Sequence, residues 1–190
     1  MAREDYMRKL IYLASALLIS STLMAKEGVL TKIVDGDTLY FTTDKQNYKC
    51  KVAYINIPKT TNDSQICKDI PNHIMANAGK SALIHTNKLL KVGNTYSYSI
   101  HKKDDKQVCE VSLGGGITFS EKMLLDGYAV IWNVNKKQKE ELNFNSVLVY
   151  AKNENHGLWG DSSKKGDVIR CLEKISKQDS KLSKFSYKSK

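Results

Sequence analysis

Three short runs of strand-forming residues, separated by polar turns, constrain the fold more than any other feature of this sequence. The runs are rich in β-branched, aromatic and apolar side chains and cover residues 28–34, 38–42 and 48–57. The turns between them contain Asp, Gly and Asn, which tolerate tight chain reversals. In the first run, Val29, Thr31 and Ile33 alternate with other residues and are predicted to share one face. The pattern predicts three consecutive strands at the start of the folded region.

Helical and extended patterns follow these strands. Helices are predicted over residues 75–90, 120–127 and 136–155, and further strands over residues 95–101 and 107–113. Five strands with a helix after the third, and helices at the end, form an order compatible with a small closed barrel of the oligonucleotide-binding type. The pattern alone therefore predicts an α+β fold.

The N-terminus is typical of a secretory signal. Arg8 and Lys9 precede an almost entirely apolar or small run over residues 10–24, and the small residue Ala25 follows it, before the charged pair Lys26-Glu27. This order predicts a removable signal over residues 1–25, a domain over residues 26–160 and a basic tail over residues 161–190. Two alternatives stay open: translation from Met7, and an uncleaved membrane anchor.

Export changes the interpretation of the four cysteines. A secreted or periplasmic protein lies in an oxidising compartment, where disulfides persist. An even number of cysteines therefore predicts two disulfides, and three pairings remain open for Cys50, Cys67, Cys109 and Cys171. No Cys-x-x-Cys motif is present and no His lies at ligand spacing from a Cys, which argues against a zinc site.

The charge balance favours anionic partners. The chain has 30 Lys and Arg against 20 Asp and Glu, a formal net charge of +10. Such a surface attracts nucleic acid, anionic lipid or another polyanion, although a solvated lysine-rich surface has the same composition. Residues 162–190 hold nine basic and three acidic residues. They predict a basic amphipathic helix that can reach a membrane surface; a segment ordered only on a partner and a disordered tail are the alternatives.

Four segments resemble, in order and spacing, those of the staphylococcal nuclease family. They are a hairpin containing Asp-Gly-Asp-Thr, a strand ending in Asn-Ile-Pro-Lys, a segment containing Leu-Leu-Asp-Gly-Tyr-Ala, and a closing helix with Gly-Leu-Trp, at residues 28–39, 52–60, 119–132 and 151–159. The resemblance implies a mainly β fold, a five-stranded barrel of the oligonucleotide-binding type with three helices. It also implies a phosphodiesterase of DNA and RNA that uses a calcium ion.

The positions that the family uses for catalysis are mostly replaced. By resemblance, Asp37 stands at a metal ligand, whereas Asn56 stands at the position of a second carboxylate ligand. Lys59 replaces the glutamate usually assigned as the base, Lys51 replaces one arginine, and Cys109 replaces the other. Asp37 and Asn56 are therefore the candidate metal ligands, with calcium as cofactor only if the chain is active. No small-molecule cofactor is expected.

These replacements predict a binding protein with weak or no phosphodiesterase activity. A cleft with Lys51 and Lys59 attracts phosphate, so nucleic acid or another polyanion is the expected partner. Whether the chain is an enzyme stays open. One alternative is an active calcium-dependent endonuclease of DNA and RNA with a rearranged site. A second is a protein-interaction module of the cell envelope, with the barrel as scaffold.

Overall fold

The computed structural model of the protein describes residues 25–44, 46–60, 67–103, 106–132, 134 and 143–186. The predicted signal, apart from Ala25, and the start of the helix predicted from residue 136 lie outside these ranges. Within them, no helix is long and apolar enough to cross a membrane. The elements are β1 (Lys26–Asp35), β2 (Thr38–Thr42), β3 (Asn47–Val52), β4 (Ile55–Asn56), α1 (Asn72–Leu89), β5 (Thr95–Lys103), β6 (Lys106–Val111), α2 (Phe119–Leu125), β7 (Val130–Ile131), α3 (Phe144–Asn153) and α4 (Lys165–Ser186).

Five strands close into a barrel in the order β1-β2-β3-β6-β5. The pairing of β3 with β6 is parallel and the other pairings are antiparallel. Strands β4 and β7 form a separate two-stranded sheet. The predicted five-stranded barrel is confirmed. The described residues contain four helices where the resemblance implied three, because most of the predicted tail forms α4.

Irregular pairing in β1 changes which of its side chains face the barrel interior. Val29 pairs with the outward Thr42 and is 39% exposed, whereas Leu30 is fully buried. The register shifts between Leu30 and Lys32, which leaves Thr31 as an extra residue. After this bulge Ile33 faces inward beside a buried leucine of β2. The prediction that Val29, Thr31 and Ile33 share one face is therefore wrong.

The core joins the barrel interior to the helices that cover it. The largest fully buried side chains from the strands are Leu30, Leu39, Phe41, Tyr98 and Val111. Phe119, Met123 and Leu124 contribute from α2, and Phe144 from α3. Helix α4 adds Val168 and Ile169, both fully buried in the same cluster. The apolar spacing that predicted a helix in the tail thus places its apolar face against the domain.

Two disulfides select one of the three possible pairings. Cys50–Cys109 links β3 to β6, with the two Cα atoms 5.6 Å apart. Cys67–Cys171 links the chain before α1 to α4, with the two Cα atoms 6.2 Å apart. The first bond fastens the one parallel contact of the barrel, and the second fastens α4 to the domain.

Candidate functional site: an ion-pair cluster at the β1–β2 turn

The turn between β1 and β2 positions two aspartates. The Asp37 amide donates a hydrogen bond to Asp35 Oδ1 over 3.2 Å, which tightens the turn. The Asp37 carbonyl accepts from the Val52 amide over 2.8 Å, so β3 fixes the end of the turn. Thr38 Oγ1 donates to Asp37 Oδ1 over 3.3 Å. The Asp37 residue is fully buried, which is rare for a carboxylate unless it is paired.

Gly36, in the centre of this turn, is in close contact with its neighbours. A Cβ atom at Gly36 would lie 2.7 Å from Cγ2 of Ile57, too close for any larger residue without a shift. The hydroxyl of Thr86 on α1 donates to the Gly36 carbonyl over 3.1 Å. The turn is therefore held between α1 and the segment after β4.

Two lysines contact the buried carboxylate of Asp37. Lys51 Nζ lies 2.5 Å from Asp37 Oδ2, in an ionic contact without hydrogen-bond geometry. Lys59 Nζ hydrogen-bonds Asp37 Oδ1 and lies 3.4 Å from both carboxylate oxygens of Asp35. We call Asp35, Asp37, Lys51 and Lys59 the ion-pair cluster. With all four groups ionised, its formal charge is zero.

Lys59 is held in place through its backbone. A Cβ atom at Gly79 of α1 would lie 2.1 Å from the Lys59 carbonyl oxygen, so only glycine permits this approach. The helix therefore packs directly on the backbone of Lys59. This contact fixes the backbone position from which the Lys59 side chain reaches Asp37.

Burial and charge act in opposite directions on the pKa values of the cluster. Burial raises the pKa of Asp37, against the two ammonium groups that lower it. Burial also acts to raise the pKa of Asp35, but hydrogen bonds from Asp37 and the charge of Lys59 outweigh it and hold that pKa at about 2. Burial lowers the pKa of Lys51, assisted by the like charge of Lys59. For Lys59 the two carboxylates outweigh burial and raise the pKa, which favours its charged form.

Two of the sequence-predicted positions are not part of this cluster. Cys109 is buried and bonded to Cys50, so it cannot take the part of an arginine. Asn56 lies in β4 and pairs through its backbone with Val130. Within the described part of the chain, no hydrogen bond or ion pair joins its side chain to Asp37. Of the sequence-predicted positions, the described contacts join Asp37, Lys51 and Lys59.

Sequence reasoning missed Asp35. Its carboxylate completes the cluster and contacts Lys59, yet the resemblance pointed only to the second aspartate of the turn. The available signal was the spacing: two carboxylates at i and i+2 around a glycine come close together when the chain reverses tightly.

The donor set of the cluster does not fit a calcium ion. Calcium prefers six to eight oxygen ligands, several of them carboxylate. Both oxygens of Asp37 face ammonium groups, and Lys59 would repel a divalent cation. Among the described residues there is also no group of three or more His, Cys, Asp or Glu side chains that can hold a metal. The chemistry of the residues present thus argues for a salt-bridged site.

Comparison with known families agrees with the barrel fold and covers three of the four motif segments. Residues 49–161, more than half of the chain, match the model of the staphylococcal nuclease homologues. The resemblance stated from the sequence is thereby confirmed. The matched range contains Lys51, Asn56, Lys59 and Cys109, whereas the turn with Asp37 lies before it. A search of curated proteins finds no match.

Proposed function

The chain belongs to the staphylococcal nuclease homologues, and from that premise we propose that it binds nucleic acid while retaining weak or no phosphodiesterase activity. The observation that carries the proposal is the double ion pair at Asp37, whose carboxylate is shared by Lys51 and Lys59. The position expected to hold a metal ion is instead neutralised by the protein itself.

Weak hydrolysis follows from the requirements of the reaction. Attack of water on a phosphodiester needs a base and groups that neutralise the developing charge. A charged Lys59 cannot accept a proton, and its carboxylate partners favour that charged form. Loss of one stabilising group costs roughly 2 to 4 kcal/mol of transition-state stabilisation, and losses within one site are not additive. Two such losses still reduce turnover by several orders of magnitude.

Binding is supported by the exposed part of the same lysines. The Lys51 side chain is 41% exposed and that of Lys59 is 26% exposed. An ammonium has three donors, so each lysine can keep its contact with Asp37 and still donate to a phosphate oxygen. The net charge of +10 adds long-range attraction. Affinity should therefore fall steeply with salt concentration.

Two disulfides support an oxidising compartment, and we extend the proposal to export with removal of residues 1–25. N-terminal sequencing of the protein from its native host tests this directly. A mature protein that still begins at Met1 or Met7 would contradict export by a cleaved signal.

The nuclease assay uses denatured DNA with calcium, with chelator, and with an Asp37→Asn variant, while binding to the same DNA is measured at two ionic strengths. We expect salt-dependent binding without calcium-stimulated cleavage. Robust cleavage that disappears with both chelator and Asp37→Asn would replace the proposal by an active nuclease with a rearranged site. Absence of binding at low salt would overturn the binding role.

A further inference from the structure

The outer face of β1, β2 and β3 carries a tyrosine between two lysines. Lys32 of β1 pairs with Tyr40 of β2, and Tyr40 pairs in turn with Lys49 of β3. We propose that these three residues, the Tyr40 row, form a binding site for single-stranded nucleic acid. An unpaired base would stack on Tyr40 while the lysines contact the adjacent phosphates. The inference rests on the proposed function and assigns its ligand class and binding face.

The register places the three side chains on one face. Residues directly opposite on neighbouring strands have Cβ atoms about 4.5 to 5.5 Å apart and project to the same side of the sheet. Leu39 and Phe41, on either side of Tyr40, are fully buried in the barrel. Because successive residues of a strand alternate, Tyr40 projects outward, and it is partly exposed.

The lysines of the row carry positive charge that no described carboxylate pairs with. Lys32 and Lys49 are exposed, and in the described ranges neither side chain has an ion-pair partner. Lys51 and Lys59 differ, since both are paired with Asp37. The uncompensated positive charge of this sheet face thus lies on either side of Tyr40.

The neighbouring rows leave the face open to a polyanion. On one side, Thr42 Oγ1 donates to Asn47 Oδ1 over 2.6 Å, a neutral pair. On the other side, Asp35, Thr38 and Lys51 lie in register across the three strands. The negative charge in these two rows comes from the carboxylate of Asp35, which forms an ion pair with Lys59. A strand bound at the Tyr40 row can therefore continue towards the ion-pair cluster without meeting an uncompensated negative charge.

The aromatic ring favours one class of polyanion. Stacking on an aromatic side chain contributes roughly 1 to 3 kcal/mol per base and tolerates any sequence, because every base has a π-face. Bases of a duplex are stacked on one another and cannot lie on the ring. Polyphosphate has charge but no base. Single-stranded nucleic acid is the ligand that uses all three side chains.

The first experiment measures the affinity of the protein for a fluorescent oligodeoxythymidylate of roughly 12 nucleotides. Inorganic polyphosphate, which has no bases, serves as the competitor, and its affinity is measured by displacement. Tyr40→Leu is compared with Tyr40→Phe and with Tyr150→Leu, an exposed tyrosine on α3. We expect Tyr40→Leu to bind the oligonucleotide about tenfold more weakly and polyphosphate unchanged. Tyr40→Phe and Tyr150→Leu should match the wild type on both ligands. Thermal unfolding confirms that each variant is folded.

The second experiment tests how much the two lysines of the row contribute to binding, with Tyr40 left unchanged. Lys32→Gln/Lys49→Gln removes two charges from the sheet, and Lys80→Gln/Lys88→Gln removes two exposed lysines from α1. The slope of log affinity against log salt concentration should fall by about 0.7 for each lysine that contacts phosphate. We expect that fall in the first double variant and an unchanged slope in the control.

The outcomes separate this inference from the proposed function. Wild-type affinity in both Tyr40→Leu and Lys32→Gln/Lys49→Gln, with the oligonucleotide still bound by the wild type, would overturn the Tyr40 row alone. A duplex of the same length is measured in the same assay, and its equal or tighter binding would overturn the assignment to single strands. Failure of the wild type to bind the oligonucleotide at low salt would overturn the proposed function itself.

Discussion

The ammonium of Lys59 binds the carboxylate of Asp37, a residue 22 positions earlier in the chain. A lysine side chain therefore contacts the carboxylate that the family resemblance predicts as a metal ligand, and it neutralises this fully buried aspartate. Lys51 adds a second positive charge to the same carboxylate. The cluster consequently ties β1, β3 and the segment after β4 together through charge.

The Asp37→Asn variant should be markedly less stable than the wild type. The substitution keeps the shape of Asp37 but leaves Lys51 and Lys59 as like charges without their common partner. Breaking a fully buried pair costs about 3 to 5 kcal/mol, and the partial exposure of both lysines reduces the expected loss to roughly 2 to 3 kcal/mol. Denaturant unfolding measures it.

Asp167→Asn is the matched control, because Asp167 forms an exposed ion pair with Arg170. Its free energy of unfolding should change by less than about 1 kcal/mol. Equal losses in the two variants would contradict the role given to the buried carboxylate.

Acid should remove a contribution of Asp35 to stability between about pH 4 and pH 2. Its pKa falls from 3.8 to about 2 on folding, so in this window the unfolded chain binds more protons than the folded chain. The contribution is fully present above pH 4 and disappears as pH falls through 2. Its size is about 2 kcal/mol, since one pKa unit corresponds to 1.36 kcal/mol.

The free energy of unfolding, measured from pH 2 to pH 7, tests this for Asp35→Asn. Asp69→Asn is the control, because Asp69 is exposed. Asp35→Asn should lose stability at pH 7 and show a flatter decline in acid than the wild type. Parallel pH curves for the wild type and Asp35→Asn would exclude the assignment.

Local chemistry made the barrel predictable from the sequence. The Asp-Gly-Asp turn and the alternation of Leu39 and Phe41 with outward residues specify a hairpin without distant information. The bulge at Thr31 was not predictable in this way, because it depends on how β1 fits the curvature of the closed barrel. One extra residue was enough to reverse the face assigned to Ile33.

The site was predictable only in part, for a similar reason. The resemblance of the sequence to the family predicted that Asp37, Lys51 and Lys59 belong to one site. That both lysines reach the same carboxylate depends on side-chain directions, which are set when β3 closes against β1 and β2 and α1 packs on Lys59. The disulfide pairing likewise required the three-dimensional positions of β6 and α4.

Restoring two carboxylates should create a calcium site. In Asn56→Asp/Lys59→Glu the cation at Asp37 is removed, and a carboxylate is added at each of the two positions where the family resemblance expects one. Without metal, the variant should be less stable than the wild type, because its carboxylates repel one another. Calcium binds the folded form only and should raise Tm by several degrees at concentrations well above Kd.

The wild type should show no calcium-dependent change in Tm. Lys88→Glu, a charge reversal at an exposed position of α1, should show none either. A rise in the Tm of the wild type on adding calcium, reversed by chelator, would show that the native cluster binds the metal after all.

The Cys67–Cys171 disulfide should protect α4 selectively. It closes a loop of 104 residues, for which chain entropy gives an upper stabilisation near 4.7 kcal/mol, with about 2 to 4 kcal/mol typical. Cys67→Ser/Cys171→Ser should therefore lower the free energy of unfolding and speed amide exchange in α4 more than in the barrel. Cys50→Ser/Cys109→Ser is the comparison, since its bond lies between barrel strands. Uniform loss of protection in both variants would argue that α4 is not fastened separately.

Deleting residues 162–190 should unfold the domain, because α4 is part of its core. Val168 and Ile169 are fully buried and Leu172 is 3% exposed, so deletion removes three aliphatic side chains from the apolar cluster. At about 1.5 to 3 kcal/mol each, their loss approaches the total stability of an ordinary domain. The exposed pair Lys164→Gln/Lys174→Gln should instead leave Tm within a few degrees. Circular dichroism during heating compares the three proteins. A truncated chain that unfolds cooperatively at the wild-type Tm would show that α4 adds nothing to the core, and deletion would then be a fair test of the tail's charge.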